Sequence, residues 1–137
     1  MIDSFQGEYH FLSNFYPCNI VYEGVEYPTT EHAYQAAKTL NVEKRQQIAL
    51  MATPCYAKRA GKIIKLRPDW EEVNLQIMYD ICKLKFSKSQ FTEKLKATGK
   101  QELIEGNTWN DTFWGRCKGK GQNHLGKILI KIRSEIS

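Results

Sequence analysis

The chain has 137 residues, 42% hydrophobic, 12% aromatic and 26% charged, with a formal net charge of +5. That composition supports one self-sufficient core and excludes a disordered chain or a disulfide-stapled miniprotein, so a single domain over residues 1–137 is expected. No apolar run approaches the ~18–20 residues that span a bilayer, and Met1 to Gly7 lacks a signal peptide's apolar centre, so the expected location is cytoplasmic with no membrane partner.

Cys18, Cys55, Cys82 and Cys117 lie far apart, without a CxxC pair or metal-ligand spacing to His10, His32 or His124. Free thiols and no metal site are expected. The basic residues are dispersed over Lys44–Arg45, Lys58–Lys65, Lys83–Lys88 and Lys118–Arg133. That spread suits a phosphorylated ligand, or a nucleic acid carrying one, better than a dedicated DNA-binding module.

In chain order, the segment through Tyr27 reads as strands, with Ile20–Tyr22 and Val25–Tyr27 flanking a tight Glu23-Gly24 turn. Pro28-Thr29-Thr30 stops the strand and caps a helix to about Leu40, in which Ala33, Ala36 and Ala37 allow close packing. Asn41 caps a second helix through Met51, and Thr53-Pro54 opens a third to about Lys65. Pro68-Asp69 opens the longest, whose Trp70, Val73, Ile77, Ile81 and Leu84 predict one buried face. A shorter helix around Phe91 and Leu95 ends at Gly99, Leu103-Ile104 reads as a short strand, and residues 106–123 form a loop. The last helix buries Leu125, Ile128, Leu129 and Ile132. The fold class is α+β, compact and mainly helical, with a small β-sheet.

Four segments carry candidate chemistry. Glu31, Gln35 and Lys38 are spaced i, i+4, i+7, so one helix face offers a carboxylate, an amide and an ammonium. The same spacing also describes a solvated polar ladder. Asn107-Thr-Trp-Asn-Asp-Thr-Phe-Trp-Gly115 interleaves aromatics with Asn and Asp. It is either a core plug or a platform on which a base stacks. Asp111 within it is a base, a ribose ligand or a turn cap. Gly119-Lys-Gly-Gln-Asn-His-Leu-Gly126 leads into a helix, where backbone N–H groups can cradle phosphate, though a plain turn has the same composition. In Phe11-Leu-Ser-Asn-Phe-Tyr-Pro17 the apolar residues read as core, while Ser13 and Asn14 are turn formers or ligand contacts.

Together with Tyr27–Lys38, Asp69-Trp70, Met78, Lys85-Phe86, Thr98-Gly99, Leu103-Ile-Glu105 and Arg133, these segments resemble the NADAR superfamily, also described as the YbiA-like fold, in the family's order along nearly the whole chain. The resemblance implies N-glycosidase activity: removal of ADP-ribose from modified guanine, opposing toxins that modify nucleic acid, or cleavage of phosphorylated riboflavin-biosynthesis intermediates. It implies a pocket of Asn14, Glu31, Gln35, Lys38, Trp70, Asp111, Trp114 and Gly115, with Gly121 and Asn123 near phosphate.

Breaking a C1′–N bond builds positive charge on the ribose, which calls for a carboxylate, a positioned water and help for the departing nitrogen. Glu31 is the first choice for the carboxylate and Asp111 the alternative. Lys38 is a proton donor, a Schiff-base former or a phosphate contact. Trp70 and Trp114 would stack on the base, and no cofactor or metal is required. The guanine substrate, within ADP-ribosylated DNA, is favoured over the riboflavin branch by the aromatic loop and the basic surface. Two rivals are a non-catalytic binder of ADP-ribose or NAD and a nucleic-acid module without a small-molecule pocket. A monomer is expected.

Overall fold

The computed structural model describes residues 1–136. Two compact units are distinguished, residues 14–85 and residues 1–13 with 86 onward. Six α-helices, one 3-10 helix and two two-stranded sheets make up the regular structure of the described residues, an α+β architecture dominated by helix.

In the unit of residues 14–85, β1 (Ile20–Tyr22) and β2 (Val25–Tyr27) form an antiparallel hairpin with Ile20 opposite Tyr27. Glu23 and Gly24 both take positive φ, +48° and +85°, as a two-residue turn between right-twisted strands requires. α1 (Thr30–Ala36) follows, with Thr29 as N-cap accepting from the His32 amide. α2 (Val42–Ala49) is capped by Asn41 and α3 (Pro54–Ile63) by Thr53, each through its side-chain oxygen. α1 packs against both α2 and α3, an approach permitted by Ala33, Ala36 and Ala57, all fully buried.

α1 ends at Ala36 rather than near Leu40, because the amides of Lys38 and Thr39 turn back to the carbonyls of Gln35 and Ala36 in i→i+3 fashion. α4 (Trp70–Phe86) is the longest helix, as expected, but its buried face is rotated from the predicted one. Trp70, Ile77, Met78, Ile81, Cys82 and Lys85 are buried, while Leu84 is exposed and Val73 only half-buried.

In the other unit, a 3-10 helix (Gly7–Leu12) replaces the strand expected before Ile20. Gly7 enters it at φ +60°, the Tyr9 amide bonds the Gln6 carbonyl and the Ser13 amide bonds His10, so local turns outcompete an extended conformation here. α5 (Ser89–Ala97) ends as predicted at Gly99, φ +66°. Leu103 makes only an isolated bridge to Ile2. The second sheet instead pairs β3 (Gly106–Asn107) in parallel with β4 (Arg116–Cys117), and α6 (His124–Ile136) closes the chain. Phe5, Phe11, Leu12, Phe91, Leu95, Leu103, Leu125, Leu129 and Ile132 form this unit's core.

Candidate active site

α1 is seven residues of mixed polarity, Thr-Glu-His-Ala-Tyr-Gln-Ala, and every one of them is buried. The solvated-ladder reading of Glu31 and Gln35 is thereby excluded: burying a carboxylate is costly unless it is hydrogen-bonded or paired. Gln35 Nε2 donates to Glu31 Oε2 at 2.6 Å, one turn along the helix. Gln35 Oε1 is buried with no hydrogen-bond partner among the described residues.

Lys38 lies just past the helix end, so it joins Glu31 through a turn rather than along a continuous helix face. Its Nζ donates to the Gly61 carbonyl of α3 at 3.4 Å and stands 5.8 Å from the Tyr34 ring centroid. Burial lowers the Lys38 pKa below the ordinary lysine value, the Glu31 charge works the other way, and Lys58 and Lys62 add to the lowering. Glu31 and Lys38 thus sense each other, with Gln35 holding one oxygen of the carboxylate.

Asn14 is buried and bonded to the start of α1. Its carbonyl accepts from the Glu31 amide and the Thr30 hydroxyl, its Oδ1 accepts from Thr30 Oγ1 at 2.9 Å, and its Nδ2 donates to Met78 Sδ at 3.4 Å. These bonds anchor the first turn of α1. Trp70 is 7% exposed and packs on Tyr34 with ring centroids 5.2 Å apart. His32 is structural, with Nδ1 at 2.7 Å from Thr29 Oγ1 and Nε2 at 3.0 Å from the Met51 carbonyl.

Lys85 escaped the reading of the sequence. It is fully buried on α4, its Nζ 5.8 Å from the Tyr16 ring centroid, and burial pulls its pKa down to about 8 against the opposing influence of Cys82 and Cys18. The neighbouring Cys82 thiol, pushed up to about 12 by burial, feels both the Lys85 and the Glu31 charges. The available signal was positional: Lys85 follows Met78, Ile81 and Cys82 at helical spacing and so falls on their buried stripe.

The remaining candidates belong to the other unit. Asp111 Oδ1 accepts from the amides of Phe113 and Trp114 at 3.1 and 2.9 Å, so that oxygen caps the turn. Asn107 braces the same turn, donating to the Asp111 carbonyl and accepting from its amide. The core-plug reading of the aromatics does not hold: Trp109 is 52% and Phe113 38% exposed, and Trp114 is half-buried beside Phe113 and His124.

The amides expected to cradle phosphate are engaged by main chain. The amides of Gln122, Asn123, His124 and Leu125 are donated to the carbonyls of Thr112, Gly115, Phe113 and Trp114 at 2.7–3.2 Å, so the entry to α6 is closed by the chain itself. Asn123, 2% exposed and at φ +56°, donates to the Leu103 carbonyl and accepts from the Glu105 amide, both at 2.9 Å. Gly121, at φ +142°, and Gly115 are required by close backbone approach, since a Cβ on either would meet main-chain oxygen.

The pattern that defines the NADAR domain matches residues 3–137. The N-glycosidase YbiA of Escherichia coli (strain K12) is 35% identical over 134 residues, covering 95% of this chain and 83% of that protein. An N-glycosidase of Nostoc punctiforme is 38% identical over 135 residues, covering 93% of this chain and 86% of that one. A riboflavin biosynthesis protein of Vibrio vulnificus is 35% identical over 130 residues, 92% of this chain but 35% of the relative. The NMR structure of E. coli YbiA superposes with a TM-score of 0.85 at 34% identity, covering 99% of this chain and 86% of that one. From its length-spanning match and its fold, this chain belongs to the NADAR domain family.

Proposed function

We propose that the chain is an N-glycosidase that hydrolyses the C1′–N bond joining ADP-ribose to guanine in nucleic acid. The observation that carries this reading is the buried Glu31 carboxylate, held by Gln35 Nε2 at 2.6 Å beside an ammonium whose pKa is lowered by burial. As the C1′–N bond lengthens, Glu31 stabilises the positive charge on the ribose and takes a proton from the attacking water. Lys38 delivers its proton to the departing guanine nitrogen and is neutral afterwards, which its lowered pKa eases. Hydrolysis then leaves free ADP-ribose and restored guanine.

The N-glycosidase names of the E. coli and Nostoc relatives support the reaction class. The guanine substrate is supported by the solvent-exposed aromatics Trp109 and Phe113, residue types on which bases stack, and by the exposed Lys118 and Lys120 of the same loop. The second reading, cleavage of a phosphorylated riboflavin-biosynthesis intermediate, is favoured by the Vibrio relative's name.

The test is product analysis by mass spectrometry, with wild type and Glu31→Gln incubated on guanosine-ADP-ribosylated DNA. The expected result is free ADP-ribose and restored guanine from wild type, with turnover of the variant lower by on the order of 10²–10⁴. No release by wild type, with cleavage of the riboflavin intermediate instead, moves the chain to the second reading. Inactivity on both leaves a binder without turnover.

A further inference from the structure

We propose that Gly61 is the positioning residue that sets the geometry of Glu31 and Lys38, an inference that rests on the catalytic reading of that pair. Gly61 lies inside α3, where nothing in its backbone conformation calls for glycine and where glycine is among the poorest helix formers. What it lacks is the point. A Cβ built at this position would overlap Gln35 Oε1, stand 2.7 Å from Gln35 Cδ and 3.1 Å from its Cβ. The bare Cα is therefore the surface against which the Gln35 amide lies, and that amide is the group donating to Glu31 Oε2. The amide's other end, Oε1, is buried with no hydrogen-bond partner among the described residues to retain it, so packing against Gly61 fixes the plane of the group. The same residue's carbonyl accepts from Lys38 Nζ. One residue of α3 thus locates the carboxylate through Gln35 and the ammonium directly, tying the two to a common backbone reference.

The experiment compares the full chain as wild type, Gly61→Ala, Gln35→Ala and the double variant. It uses the ¹H–¹⁵N correlation of the Gln35 side-chain amide, thermal unfolding, and kcat and KM on an ADP-ribosylated guanosine oligonucleotide. In Gly61→Ala the Gln35 correlation is expected to move toward that of a free amide. The kcat is expected to fall on the order of 10- to 100-fold, with KM changed by less than about threefold, as for a misplaced reacting group. Added to Gln35→Ala, the alanine at 61 should cost little further, because Oε1 and Cδ, the two atoms it would strike hardest, are gone and only the Cβ at 3.1 Å remains.

An unchanged Gln35 resonance in Gly61→Ala, or an equal further loss in the Gln35→Ala background, overturns the proposal. Should Gly61→Ala fail to fold, the double variant decides. It folds and matches Gln35→Ala if Gly61 acts through Gln35, and stays unfolded if glycine is needed for another reason. Full turnover by Glu31→Gln sinks the catalytic reading separately, since the amide shift and the unfolding cycle report on the Gly61–Gln35 contact without any turnover.

Discussion

Lys38 and Lys85, both lowered in pKa by burial, have different consequences at the level of single residues. Lys38 is half-buried and feels the Glu31 charge, and the proposed role as proton donor requires it to be charged when the substrate is bound. The rate should therefore fall as pH rises through its pKa, with an alkaline limb below the ordinary lysine value of about 10.4. Lys38→Arg, which cannot deprotonate in that range, should abolish the limb along with most of kcat. A kcat–pH profile of both proteins checks this, and a limb that survives in the variant would assign it to another group. Lys85 is fully buried, and its pKa of about 8 means that the folded protein holds its charged form poorly. Between pH 8 and the unfolded value near 10.4 the unfolded chain binds more protons, so stability contributed at this site rises with pH across that window. Below it the full burial penalty stands, on the order of 3 kcal/mol from the size of the shift. Lys85→Met should accordingly be more stable than wild type at pH 7, and the difference should shrink as urea unfolding is repeated toward pH 10. A difference independent of pH would mean that Lys85 is held by contacts that fully offset its desolvation.

Among the elements, those legible from the sequence are the ones determined by local chemistry. Thr29, Asn41 and Thr53 each cap the helix predicted for them, because a side-chain oxygen two or three residues before an orphan amide needs no tertiary partner. The Glu23-Gly24 turn is legible for the same reason. What was not legible depends on distant residues. The buried face of α4 is set by what it packs against, which admits Cys82 and Lys85 and leaves Leu84 in water. The amides before α6 read as an anion cradle until residues 112–115 supply their acceptors. Asn123 offers a test of the difference. Its two 2.9 Å bonds to main chain and its left-handed backbone give Asn123→Ala an expected loss of about 2–3 kcal/mol in urea unfolding. Asn123→Gly keeps the backbone conformation while losing the bonds, and should lose less. A substrate contact would behave otherwise, raising KM with unfolding unchanged.

For the whole molecule, charge and aromatic exposure bear on which substrate is used. The net charge of +5 is dispersed, so long-range attraction alone would hold any polyanion weakly and without preference. On the proposed nucleic-acid substrate, the loop carrying the half-exposed Trp109 and Phe113 would add a sequence-tolerant term, since each base stacked on an aromatic face contributes about 1–3 kcal/mol. A nucleic-acid substrate draws on both effects, whereas a single nucleotide-sized substrate draws on neither to the same degree. Trp109→Ala should therefore raise KM for an ADP-ribosylated oligonucleotide by roughly 5- to 50-fold while leaving KM for ADP-ribosylated guanosine nearly unchanged. KM for the oligonucleotide alone should also climb with salt on a log–log plot. If Trp109→Ala affects both substrates equally, or salt affects neither, the loop is no nucleic-acid platform. The small phosphorylated substrate of the riboflavin branch then becomes the better reading, because it needs only the Glu31, Gln35 and Lys38 cluster and no surface for neighbouring bases.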